Sequence, residues 1–284
     1  FLVPTDGTVL NDGQLAFSLV GYTDELGHTF RGLLVTEPDG TVVTRTLSTD
    51  LVSNDYTITQ SGDGTPVLGG RTGGGDDTAG AIRAVSTDGT TRWEHRFGAE
   101  SEGTERVTGV AEAGESVLAV GSTDKLRSET GWVATVDANG ITKLASFDTA
   151  AQSIRRAGEG HLVLTDAGWH RIDASGTVQA ETVFGGRPHQ MAATTNGRVF
   201  VGTDQDTENA VVIATTDDGQ ERWRTSIGGG YRETLTGVVG LADGGALAVG
   251  STQSYRSEQQ AATGTETADD GSPQPNGWLV RIDA

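Results

Sequence analysis

The stretch from Leu235 to Thr252, LTGVVGLADGGALAVGST, nearly repeats an earlier one, Val107 to Thr123, VTGVAEAGESVLAVGST. A chain that restates a phrase this closely is built from one supersecondary unit used more than once, so the unit and its period decide the fold. Two shorter phrases alternate around this pair along the whole chain. The first is an apolar run, in most copies closing on a small residue and Thr: LVGYT at 19–23, VLGGRT at 67–72, LAVGST at 118–123, LVLT at 162–165, VFVGT at 199–203 and LAVGST at 247–252. The second is strand-like and runs into a turn: LLVTEPDG at 33–40, AIRAVSTDG at 81–89, WVATVDANG at 132–140, WHRIDASG at 169–176, VVIATTDDG at 211–219 and WLVRIDA at 278–284. Six copies of each mark six units.

Within the second phrase Val133, Thr135 and Asp137 alternate with Trp132, Ala134 and Val136. That is the period of a strand with one buried face. The Asp-Gly or Asn-Gly that follows is a hairpin signal. An outer-strand phrase comes next, TTRWEHRF at 90–97 and QERWRTSI at 220–227. Four strands in roughly 45 residues is β-propeller spacing. The fold class is therefore all-β, a six-bladed β-propeller of four-stranded antiparallel blades. The third unit reads from the inside outwards as strands at 108–111, 117–122, 132–137 and 141–147. Trp132, Trp169 and Trp278 open the third strand of their units and Trp93 and Trp223 lie on the fourth, positions that predict packing between neighbouring blades.

Units three and six match best, two and five share DGTTRW and DGQERW, and one and four share DGTVV and SGTVQ, so a three-blade half looks duplicated. The sixth unit runs out at Ala284 without a fourth strand. Phe1 to Pro4 is expected to supply it beside Trp278 to Ile282, making residues 1–284 one closed domain. The inserted segment at about 258–276 has the composition of a solvated, mobile loop.

The charge balance narrows function more than length does. Thirty-nine acidic residues against 20 basic ones leave a net charge of −19, and only Lys125 and Lys143 are lysines. Nucleic acid is then not an expected partner, because phosphate binding needs a basic surface. The composition resembles that of proteins from halophilic archaea, where salt screens such self-repulsion. With no cysteine, disulfides and thiolate chemistry are excluded. No apolar run reaches the roughly 18 residues of a membrane span. The start at Phe1 suggests a trimmed chain, and the expected location is extracellular or at the cell surface.

The succession of an apolar run with G-S-T, then G-W-hydrophobic-x-hydrophobic-D, then D-G-x-x-x-W and a loop such as FGG resembles the PQQ-like and related short-repeat β-propellers. The resemblance spans essentially the whole chain and speaks to fold, since such propellers include quinoprotein enzymes, assembly scaffolds and surface proteins. The quinone enzymes use eight blades, a calcium ion and a disulfide or aromatic clamp. With six units and no cysteine, no quinone cofactor is expected here.

In this connectivity the loops joining fourth to first strands and second to third strands share one end, the usual ligand face. They carry the candidate ligand-binding residues Arg71, Arg127, Arg187, His189, Tyr231, Arg232, Tyr255 and Arg256, with Arg offering a planar fork to carboxylate, sulfate or phosphate. The paired phrases DKLRSE at 124–129 and QSYRSE at 253–258 each follow an aligned glutamate, Glu105 and Glu233. Two readings stand: ion pairs Glu105–Arg127 and Glu233–Arg256 pinning the loops, or two arginines gripping one anionic ligand. Asp204, Asp206 and Glu208 have a D-x-D-x-E spacing that suits a hard cation such as calcium, or simply a solvated loop. No nucleophile elbow or carboxylate pair is present, and of the histidines only His189 falls on the ligand face. These observations favour a non-catalytic binding or interaction propeller whose partner is a protein or small anion. The alternative is a hydrolase or lyase centred on His189, Tyr231, Arg232 and Arg256.

Overall fold

A computed structural model describes residues 2–22, 29–48, 53–73, 78–98, 104–125, 128–173, 175–183, 186–204, 206–229, 231–254 and 276–283. The first sheet joins β1 (Leu2–Val9), β2 (Leu15–Tyr22), β3 (Thr29–Thr36) and β4 (Val42–Ser48), and the second β5 (Ser53–Gln60), β6 (Pro66–Thr72), β7 (Ala79–Val85) and β8 (Thr91–Phe97). The third joins β9 (Thr104–Ala113), β10 (Ser116–Lys125), β11 (Ser128–Asp137) and β12 (Gly140–Phe147), and the fourth β13 (Ala151–Ala157), β14 (Gly160–Thr165), β15 (Gly168–Ile172) and β16 (Val178–Val183). The fifth holds β17 (Arg187–Thr194), β18 (Gly197–Thr203), β19 (Ala210–Thr215) and β20 (Glu221–Ile227), and the sixth β21 (Glu233–Gly240), β22 (Ala246–Thr252) and β23 (Asn276–Ile282). Strands follow one another in each sheet in chain order, and the fold is a six-bladed β-propeller. The chain divides into two compact units, Phe1–Val163 with Arg171–Gln179, and Leu164–His170 with Ala180–Ala284.

The N-terminal segment does not take the place expected of it. Leu2, Val3 and Pro4 pair with Gly21, Val20 and Leu19, so the segment is the start of β1 in the first sheet rather than a partner for Trp278 to Ile282. The Thr5 hydroxyl lies 2.8 Å from Ser18 Oγ and helps fix that pairing. Among the described residues the sixth sheet has three strands. The insertion at about 258–276 lies outside the described residues apart from its last position, Asn276, which opens β23.

The third strands also depart from the one-faced pattern. β7 and β19 are buried at every position. In β11 the two sets of side chains enter different cores. Trp132, Ala134 and Val136 pack with Ile82 and Phe97 of the preceding sheet. Val133 instead joins Ile154 and Val163 of the following one. The tryptophans pack between blades as expected: Trp132 is 1% exposed and its ring stacks on Phe97 at 4.5 Å. In the second unit Trp223 and Trp278 pack against the core shared by the fifth and sixth sheets.

The Asp-Gly turns use the two residues differently. Glu37 N–H donates to Thr41 O (2.8 Å) and Gly40 N–H to Glu37 O (2.9 Å), with Gly40 at φ 89°. Asp39 keeps an ordinary φ and accepts the Thr41 N–H at 2.9 Å. The pattern recurs at Ser86–Thr90 with Asp88 and Gly89. Glycine supplies the left-handed residue and aspartate locks the turn with its carboxylate.

A feature invisible in the alternation is shared by the first strands. One residue is left unpaired at the same point in five sheets: Thr5, Tyr56, Thr108, His189 and Thr236. Such a bulge adds twist and pushes the backbone towards the second strand. The glycine of the repeated phrase answers it. A Cβ on Gly121, Gly202 or Gly250 would run into the carbonyl oxygen of Arg106, Arg187 or Thr234, each two residues before its bulge. The threonine that ends the phrase is structural too: Thr123 Oγ1 donates to Glu105 (3.2 Å) and Thr252 Oγ1 to Glu233 (3.3 Å).

Candidate functional site

In the second unit the bulge position of β17 carries a histidine, where Thr108 of β9 bonds the Val120 and Ala151 carbonyl oxygens of neighbouring strands. His189 is half-buried and its Nε2 lies 3.2 Å from Thr203 Oγ1, which is itself 2.8 Å from Thr234 Oγ1. Arg187 opens β17 two residues earlier, and Arg232 immediately precedes β21. Together with Thr203, Asp204 and Glu208 these side chains line a cavity of about 400 Å³. The ends of β17 and β18 and the chain entering β21 thus meet at one place, as the expected loop arrangement requires.

Backbone hydrogen bonds hold the lining. Asp204 Oδ1 accepts the N–H groups of Asp206 (3.0 Å) and Thr207 (2.9 Å) and the Thr207 hydroxyl (3.0 Å). These bonds, led by the Thr207 N–H, hold the carboxyl below the usual range, so it is charged near neutral pH. Glu208 has a left-handed backbone, φ 57°, alone among the described non-glycine residues. Its N–H donates to Asp204 O (3.1 Å) and its carbonyl accepts the Glu233 N–H (3.0 Å). The Glu233 carboxylate is fully buried and accepts the N–H groups of Gly229 (3.2 Å) and Ser254 (3.1 Å). It fastens the loops on both sides of Arg232.

The remaining candidates are placed differently. Tyr231 is 49% exposed and is not part of the cavity lining, and Arg71 is an exposed residue of β6 in the first unit. Arg127, Tyr255 and Arg256 lie outside the described residues, and with them both expected ion pairs. Among the described residues no three His, Asp or Glu side chains are grouped to hold a metal ion. Arg106, beside Glu105, pairs with Glu129 and donates from Nε to Ser122 Oγ at 2.9 Å.

Electrostatics sets His189 apart. Burial pushes its pKa down from 6.5, with Arg187 and Arg232 acting in the same direction and Asp166 opposing them. Burial also lowers His161 and His170. A histidine with a depressed folded pKa binds fewer protons folded than unfolded near pH 6.5, so its stabilising contribution is complete above that pH and is lost as pH falls through it. The urea midpoint is expected to drop between pH 7.5 and 5, and to drop less in His161→Gln. An unchanged midpoint across this range would count against the burial reading. Asp63, held down to about 2 chiefly by the Ser61 hydroxyl, adds a second loss only below pH 3.8.

No family model matches the chain, and no curated protein matches it. Solved structures do match. One is a protein of unknown function from Bacteroides caccae, with 14% identity over 94% of this chain and 89% of that one and a TM-score of 0.50. A hydrazine synthase from Kuenenia stuttgartiensis is similar at 14% identity, covering 81% of this chain and 62% of its own, with a TM-score of 0.57. The Dos1 propeller has 11% identity over 87% and 83%, with a TM-score of 0.53. At these identities the likeness shows the propeller fold alone.

Proposed function

We propose that the protein is a non-catalytic binding propeller that holds a small carboxylate-bearing ligand in the cavity of its second unit. One observation carries this reading. Several arginines elsewhere are paired to carboxylates, as in Arg31–Glu94, Arg92–Asp63 and Arg281–Asp243, and Arg222 bonds the Asn196 carbonyl oxygen. Arg187 and Arg232 have no such partner among the described residues, yet they line one cavity with His189. Two guanidinium forks left open in a protein of charge −19 suit an anion that arrives to complete them. The volume, about 400 Å³, falls in the range of small-molecule sites.

The hydrolase or lyase reading draws on the His189–Thr203 hydrogen bond. Two facts weigh against it: the Thr203 hydroxyl is shared with Thr234, and Tyr231 does not line the cavity. Titration with propionate tests the binding reading. It should saturate at one site per chain, raise the melting temperature, and tighten as pH is taken below 6.5, because the bound anion favours protonated His189, whose pKa burial holds below the ordinary value. A melting temperature that stays flat with propionate would sink it.

A further inference from the structure

The same cavity carries negative charge as well as positive. Asp204 and Glu208 line it beside Arg187 and Arg232, and no ion pair joins the two sets among the described residues. Opposite charges that share a cavity and do not neutralise each other leave both ends of a dipole to be met by a ligand. We propose that the natural ligand is a zwitterion, with a carboxylate for Arg187 and Arg232 and an ammonium group for Asp204 and Glu208. This rests on the binding reading above and gives its ligand a class.

The charges favour a zwitterion over the simpler anions. With His189 neutral, two guanidiniums and two carboxylates sum to zero. A sulfate or phosphate dianion would meet the two carboxylates at close range and the field of a −19 protein at long range. A simple carboxylate would leave Glu208 facing the bound ligand with no ammonium to meet, while Asp204 is left with the field of Arg224 alone. A zwitterion of no net charge gains at both ends, and the mismatch supplies the discrimination.

The acidic side is built rather than incidental. Asp204 is kept charged by three donors that all go to Oδ1, so Oδ2 carries none of these bonds. Glu208 takes its left-handed backbone in the turn closed by its N–H to Asp204 O and held by its carbonyl to the Glu233 N–H, and its side chain lines the cavity.

Calorimetric titration of the whole chain with 4-aminobutyrate, β-alanine, butyrate, butylammonium and inorganic phosphate tests the proposal. One of the two zwitterions should bind at least tenfold tighter than butyrate, butylammonium or phosphate. Glu208→Gln should erase that advantage, weakening the zwitterions and, with one negative charge fewer facing the bound anion, tightening butyrate slightly, and Asp206→Asn, on the same loop but outside the cavity lining, should change neither. If butyrate or phosphate binds as tightly as the zwitterions, or Glu208→Gln leaves their advantage intact, the zwitterion assignment fails and the anion site stands. If none of the five binds, the anion site fails with it.

Discussion

Gly121→Ala is expected to cost about 3 kcal/mol of stability, the upper part of the usual range for forcing atoms into a filled site. The new methyl would overlap the Arg106 carbonyl oxygen and the Trp132 ring together. Neither can yield cheaply. The carbonyl belongs to β9 just before its bulge at Thr108, and Trp132 is 1% exposed and stacked on Phe97. Gly277→Ala is the control, because a Cβ there meets nothing within 4 Å. Urea denaturation should show a large drop in midpoint for the first variant and almost none for the second. Equal midpoints would mean that the repeated glycine is not a packing requirement.

Removing the two open guanidiniums should be the largest functional change. Arg187→Ala or Arg232→Ala alone is expected to weaken propionate binding roughly tenfold, about 1.4 kcal/mol each, and the double variant roughly a hundredfold. Both side chains are exposed enough that solvent screening caps each contribution near this value. Both should also fold normally, since no ion pair is lost among the described residues. Arg71→Ala, in the other unit, should bind propionate as the wild type does. Undiminished binding by the double variant would move the site elsewhere.

Much of this was legible in the residues. The repeated phrases give six units because turn chemistry and apolar runs are local signals. Arg187, His189 and Arg232 on the same end as Asp204 and Glu208 followed from strand connectivity alone. The bulges were not legible: a register shift depends on what the neighbouring strand does, and although Thr5, Thr108 and Thr236 share a residue type, Tyr56 and His189 occupy the same point and threonine is frequent throughout this chain. Nor was the double burial of the third strands, since Val133 and Trp132 look alike in hydropathy yet enter different cores. Leu2 to Pro4 was misplaced for a related reason. A short apolar segment suits any sheet edge, and only its continuation through Thr5 to Val9 commits it to β2. Nothing in the spacing of Thr203, Thr234 and Asp166 marks them, because they matter only through their placement around His189. Glu233 stood out by its alignment with Glu105, but its buried bonds to Gly229 and Ser254 show a loop fastener.

If anion recognition belongs to Arg187 and Arg232, their own side-chain signals report on it directly. In nitrogen-detected NMR of the labelled protein titrated with propionate, the Nε–Hε resonances of these two arginines should shift together and saturate. Those of Arg92 and Arg281, engaged by Asp63 and by Asp243 with Asp283, should stay where they are. Shifts that appear at Arg71 or Arg92 and leave Arg187 and Arg232 unmoved would contradict the account.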